Sequence, residues 1–230
     1  MSPPSFRPIM AGAFAALSAL ALACDPAEPD PGVDPDPGAS DVPSEMLPLS
    51  PQVSDEEIRS AEGDLILSLD QVPGSISVDD ESEFGAGQRF VAAEPSPRGD
   101  WLAVSTGGVA HSAGWLLEMA TANLHPAAFQ YGGSLEIGPW SEDGRWVVFI
   151  HEGPAGDRTL SVADTDGVGR TVEAASEPVR VPSHDDLRPE DRMYQVEEWE
   201  GGILQFRLST QRWTFDSSTG AVETQASPLP

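Results

Sequence analysis

Pro139-Trp140-Ser141-Glu142-Asp143-Gly144-Arg145-Trp146-Val147-Val148-Phe149-Ile150, followed by Thr159-Leu160-Ser161-Val162-Ala163-Asp164-Thr165-Asp166-Gly167, decides how the chain is read. A Glu-Asp-Gly turn feeds a run of β-branched and aromatic residues. A Gly/Pro loop intervenes, and a second run ends at another Gly turn. This is the pattern of a β-hairpin and its next strand. Gly144 is expected to supply a positive φ, and Asp143 to bond its own backbone in the turn.

The pattern recurs on both sides. Ser96, Gly99 and Trp101 match Ser141, Gly144 and Trp146 in Glu94-Pro95-Ser96-Pro97-Arg98-Gly99-Asp100-Trp101-Leu102-Ala103-Val104. Trp115–Thr121 then takes the place of the closing strand; its helix propensity is overridden by the repeat. A looser copy runs Trp199-Glu200-Gly201-Gly202-Ile203-Leu204-Gln205-Phe206 and closes on Trp213-Thr214-Phe215-Asp216-Ser217-Ser218-Thr219-Gly220. Leu65–Asp70 has the character of a closing strand alone. Repeats about 45 residues apart with four strands each indicate propeller-like blades. Trp101, Trp140, Trp146, Phe149 and Trp213 are expected to pack between neighbouring sheets.

Pro139-Trp140-Ser141-x-Asp143-Gly144-Arg145 with a closing strand ending at Asp164 resembles the TolB-type, WD-like β-propeller repeat of bacterial exported proteins. The resemblance covers about residues 60–225. It implies a non-catalytic module that binds a protein or an envelope component. The fold class expected is all-β: a partial or small propeller-like array of antiparallel four-stranded sheets over 58–230. At about 45 residues per blade this is short of the usual ring. The options are a small irregular ring, an open array, or completion by a second copy or a partner.

The ends carry other information. Residues 2–23 hold one Arg, Arg7, no acid, and an apolar run from Ile9 to Ala23, as a secretory signal does. Leu20-Ala21-Leu22-Ala23-Cys24 resembles the lipobox of bacterial lipoproteins. That resemblance implies a signal peptide over 1–23, cleavage before Cys24, and lipid attachment at the Cys24 thiol. Acyl chains contribute about 0.8 kcal/mol per buried methylene and would anchor the chain to a membrane. The expected address is the cell envelope, on the outer or inner membrane, with the domain in the periplasm or at the cell surface. Cys24 is the only cysteine, so the domain folds without disulfides. From Asp25 to Glu57, ten acids face no base among interleaved prolines, which reads as a disordered acidic Pro-rich linker over 24–57. Ser54-Asp55-Glu56-Glu57 fits a capping box opening a short helix to about Ala61.

A net charge of −26 excludes nucleic acid as a partner. No nucleophile elbow, phosphate loop, dinucleotide fingerprint or His-Glu-x-x-His is present, so no catalytic residue and no cofactor is assigned. His184-Asp185-Asp186 and His151-Glu152 have metal-ligand chemistry but read as polar loops, and Asp164-Thr165-Asp166-Gly167 lacks the rest of a calcium loop, so no metal is assigned. Val181–Arg192 reads as a long exposed loop. Two alternatives stand beside the binding module. One is an exported hydrolase or lyase on a propeller scaffold. The other is a carbohydrate-binding module, which exposure of Trp115, Phe129 and Tyr131 would favour. The anchor has a direct test: Cys24→Ser is expected to move the protein from the membrane to the soluble fraction, and unchanged fractionation would count against lipidation.

Overall fold

The computed structural model describes residues 50–225. The expected signal segment, Cys24 and the linker up to residue 49 lie outside them. Sheet I is a three-stranded meander of β1 (Gln52–Val53), β2 (Glu57–Arg59) and β3 (Leu65–Ser68). A hairpin follows, β4 (Ser75–Ser77) and β5 (Glu83–Gly85). Sheet II holds β6 (Arg89–Pro95), β7 (Trp101–Gly107), β8 (His111–Glu118) and β9 (Asn123–Tyr131). Sheet III holds β10 (Ser134–Trp140), β11 (Trp146–Glu152), β12 (Arg158–Asp164) and, after the single-turn helix α1 (Val172–Ala175), β13 (Ser176–Val179). Sheet IV is β14 (Tyr194–Glu200), β15 (Ile203–Leu208), β16 (Gln211–Asp216) and β17 (Ala221–Thr224). Every pairing within the sheets is antiparallel and between consecutive strands. The repeat assignment holds, and Trp115 lies in β8, not in a helix.

In sheets II and III the turn after the first strand is built by a buried serine. Ser141 N–H donates to the Trp146 carbonyl at 2.8 Å, Gly144 N–H donates to the Ser141 carbonyl at 2.9 Å, and the Ser141 hydroxyl accepts the Trp146 N–H at 2.9 Å. Ser96 does the same with Trp101 and Gly99 at 2.9, 2.9 and 3.1 Å. Gly144 adopts φ +70°, where a side chain is strained. Asp143 accepts from the Ser141 hydroxyl at 2.6 Å, and that bond leads the effects holding its carboxyl below the usual range. Arg145 then forks onto the end of the closing strand, with Nε and Nη2 at 2.9 and 2.8 Å from the two Asp164 oxygens. Both Asp164 oxygens are therefore engaged within the repeat, where they close the blade strand onto its turn.

Three cores join the four sheets in series. Ile58 and Leu67 of sheet I pack with Phe90, Leu102, Val104 and Trp115 of sheet II. Ala103, Leu116 and Ala128 of sheet II pack with Leu135, Val147 and Phe149 of sheet III. Val148, Leu160 and Val162 of sheet III pack with Tyr194, Leu204 and Phe206 of sheet IV. Phe149 seats on Gly114, where an added Cβ would lie 2.6 Å from the ring. No such core joins sheet IV to sheet I among the described residues, and their packing runs in series from sheet I to sheet IV. The outer face of sheet IV carries Gln205 and Thr214 as one cross-strand pair and Arg207 and Arg212 as another. Both of these arginines pair with Glu197, on the bulge of β14. The outer face of sheet I is closed by a Glu57–Arg59 pair at 2.8 Å.

Tryptophans staple consecutive sheets. Trp140 Nε1–H donates to the Glu94 carbonyl of the preceding sheet at 3.1 Å, across 46 residues of chain. Trp199 Nε1–H does the same to the Pro139 carbonyl at 3.1 Å, across 60 residues.

Two expectations are corrected. Ser54–Glu57 does not start a helix: the Ser54 hydroxyl accepts the Glu57 N–H at 3.0 Å within a hairpin turn, and β1 pairs Gln52 with Arg59. β1 therefore precedes residue 57, and β2 runs across residues 57–59. Val181–Arg192 is not an exposed loop throughout. Val181 and His184 are buried, and the Tyr194 hydroxyl accepts the Val181 N–H at 3.3 Å while lying 2.8 Å from His184 Nδ1. Trp140→Phe and Trp199→Phe each remove one inter-sheet hydrogen bond and keep an aromatic ring, and each is expected to cost about 1 kcal/mol in urea unfolding.

Candidate functional site

Strand register shows where the repeats differ. Val104 pairs with Trp115 in sheet II, Phe149 with Ser161 in sheet III, and Phe206 with Trp213 in sheet IV. Counted from the turn, Val104, Phe149 and Phe206 are the same position, so Trp115, Ser161 and Trp213 are too. Two sheets place an indole on the face toward the preceding sheet. Sheet III places a serine there. Two residues further along the paired strand, Thr106, His151 and Leu208 correspond. Trp115 Nε1–H donates to Thr106 Oγ1 at 3.1 Å, and His151 Nε2 lies 2.8 Å from Ser161 Oγ in the same diagonal relation.

With no indole at Ser161, the interface between sheets II and III opens into a cleft of about 340 Å³. Phe129 of β9, with Val78 beyond β4, forms part of its apolar lining. Leu160, Pro178 and Val179 of sheet III and Val172 of α1 supply the rest. His151, Ser161, Ser176, Arg180 and His184 give it polar groups, and Glu173 of α1 gives it an acid. α1 is tied to the chain after β4 by Glu173 N–H donating to the Val78 carbonyl at 3.0 Å.

Burial pushes the His151 imidazole from its ordinary 6.5 down to about 4; a backbone hydrogen bond to Phe129 works the other way and is outweighed. His184 is lowered too, first by burial and then by the charges of Arg192 and Arg180. At neutral pH both rings are uncharged. A histidine beside a serine has the parts of a nucleophile–base pair. With a pKa near 4, however, the ring is a weak proton acceptor at pH 7, where general bases work best with values near the operating pH. The arrangement suits hydrogen bonding to a ligand better than proton transfer.

The cleft continues, through Phe129, into an aromatic group on β5, β8 and β9. Phe84 stacks on Phe129 at 4.6 Å between centroids, and His111 lies 4.9 Å from Tyr131. Tyr131 is 67% exposed, whereas Trp115 is 1% exposed and belongs to the core. Of the three aromatics that would favour sugar binding, one is therefore in the core, Phe129 is half-buried, and only Tyr131 is exposed.

His151 lies in β11 and not in a polar loop, and Glu152 beside it is exposed. His184 is buried, and Asp185 and Asp186 do not join it in a ligand cluster. No group of three or more His, Cys, Asp or Glu suited to a metal occurs among the described residues. Cys24 lies outside them. The His151–Ser161 pair was not singled out from the sequence as a site; the signal available was the break in the Trp115–Trp213 register.

No family model matches the chain, and no curated protein does. Among solved structures, a putative TolB from Agrobacterium tumefaciens is 15% identical with a TM-score of 0.39, covering 78% of this chain and 61% of its own. TolB from Acinetobacter baumannii is 12% identical with a TM-score of 0.38, covering 76% and 51%. The complex of the fission yeast SREBP–SCAP binding domains is 9% identical with a TM-score of 0.34, covering 86% and 52%. The chain thus spans between half and two thirds of the length of each of these. Scores of this size are too low to carry a function from those proteins to this one.

The half-buried His151 has a pH signature. An unfolded chain takes up the His151 proton near pH 6.5, and the folded chain only near pH 4. Its contribution is therefore whole above pH 6.5 and is lost as pH falls toward 4, by up to about 3 kcal/mol. His151→Gln is expected to flatten stability in that window, measured by urea midpoints at pH 7 and 4.5. An unchanged slope would mean the imidazole titrates normally.

Proposed function

We propose that this protein is an envelope-anchored, non-catalytic binding module, held to a membrane through Cys24 and presenting the row of sheets to a protein or envelope component. The observation that carries the reading is the cleft between sheets II and III, opened by a single departure from an otherwise filled inter-sheet position. The polar residues of the repeat support it, because they are consumed by structure: Ser141 and Asp143 by the turn, Arg145 and Asp164 by each other. The lowered His151 weighs against the alternative of an exported hydrolase or lyase, and the buried Trp115 weighs against a carbohydrate-binding module. Among the described residues no helix is long and apolar enough to cross a membrane; the proposed attachment through Cys24 rests on the lipobox-like Leu20-Ala21-Leu22-Ala23-Cys24 alone.

The test is capture of a partner from the protein's own envelope, using the lipidated full chain as bait. A stoichiometric partner recovered with the wild type and lost with Ser161→Trp, which refills the cleft, is the expected result. A clean negative would sink the reading. Serine-directed hydrolysis lost on Ser161→Ala would favour the enzyme instead.

A further inference from the structure

The geometry points to the cleft between sheets II and III as a binding site for a small carboxylate with an apolar body, its carboxylate met by Arg180. This rests on the reading of the domain as a binding module and names the chemistry that its cleft would accept.

The first support is the missing indole. Trp115 and Trp213 fill the corresponding position at the other two interfaces, so the cleft is a local exception in a repeat that otherwise closes it. Departures of this kind concentrate at functional sites.

The second support is a census of charge. Eight arginines of the described residues pair with carboxylates within 4.0 Å: Arg59, Arg89, Arg98, Arg145, Arg158, Arg188, Arg207 and Arg212. Arg170, Arg180 and Arg192 do not. In a chain with 38 acids and 12 cations, an unanswered arginine is not for want of partners. Arg180 lines the cleft, and Arg192 is close enough to act on the same His184. Arg192 Nε is buried without a hydrogen-bond partner, and so is Ser176 Oγ on the cleft wall. Unfilled hydrogen-bonding capacity beside two unpaired guanidiniums suits an anion.

The third support sets the kind of anion. One guanidinium reaches the cleft, Glu173 shares it, and the apolar lining is extensive. One guanidinium matches one negative charge, so a dianionic phosphate would meet too little positive charge and twice the repulsion from Glu173 that a monoanion meets. A monoanion with an apolar body uses the whole site: guanidinium and hydroxyls at one end, Phe129, Leu160 and Val172 along the rest. A volume of about 340 Å³ has room for roughly eleven non-hydrogen atoms at about 30 Å³ each, so a ten-carbon chain nearly fills it with its carboxylate oxygens at the mouth beside exposed Arg180.

Calorimetric titration of the full chain with decanoate, 1-decanol and inorganic phosphate tests this. Decanoate is expected to bind one to one, and the alcohol and phosphate at least about tenfold more weakly. Arg180→Gln should weaken decanoate about tenfold and leave the alcohol unchanged, because Arg180 is exposed and its loss spares the core. Arg170→Gln, which removes the same charge away from the cleft, should change nothing. Ser161→Trp should abolish decanoate binding; if that chain does not fold, the comparison of Arg180 with Arg170 decides. The proposal is overturned if the alcohol or phosphate binds as tightly as decanoate, or if Arg170→Gln is as damaging as Arg180→Gln. A chain that captures its envelope partner but gives either result keeps the module and loses this ligand. A chain that binds decanoate but captures nothing does the reverse.

Discussion

A small sheet that is apolar on both faces has no stable existence in water, and this constraint arranges the whole domain. In sheet II, Leu102 and Val104 point one way and Ala103 and Leu116 the other, and both sets are buried. Such a sheet needs a neighbour on each side. The chain supplies neighbours in order, so every core is shared by consecutive sheets. The serine turns fix the first hairpin of the repeat, and the indole bonds of Trp140 and Trp199 hold one first strand against the last. Cooperative stability in an arrangement of this kind is a sum of sheets and their nearest-neighbour interfaces.

The same constraint explains why a cleft at one interface is tolerable. The cores between sheets I and II and between sheets III and IV are filled by Trp115 and Trp213, and the middle interface still buries Val147, Phe149 and Leu135. The loss of one indole opens space without unseating the sheets. The tied segment at His184 and the short helix at Val172 wall the space from two sides. The site is thus made from ordinary repeat parts and one exception.

The parts of the fold legible in the sequence are those decided locally. Ser141, Asp143 and Gly144 make all their bonds within a few residues, and so the hairpin could be read, as could its copy at Ser96. Ser54 is ambiguous in sequence because a serine three residues before a glutamate caps a helix or closes a hairpin through the same hydrogen bond to N–H, and only the pairing of Gln52 with Arg59 decides between them. The 181–192 segment looked exposed because its anchor, Tyr194, lies beyond it and acts through a side-chain bond that no local pattern announces. Ser161 and His151 were invisible as a pair for a related reason. Their meaning comes from comparison with Trp115 and Trp213, and that comparison needs the strand register.

The polar end faces of the row bear on how such a domain changes size over evolutionary time. A duplicated sheet inserted between two existing ones would arrive with both faces already suited to its neighbours, because internal sheets are alike. A sheet added at either end would meet Arg207, Arg212 and Glu197 on one side or Glu57 and Arg59 on the other, and those residues would have to be replaced first. Growth from within therefore needs one duplication, whereas growth at an end needs a duplication and several substitutions together. The charged ends make the length of the row a conservative property and its interior the place where variety can enter.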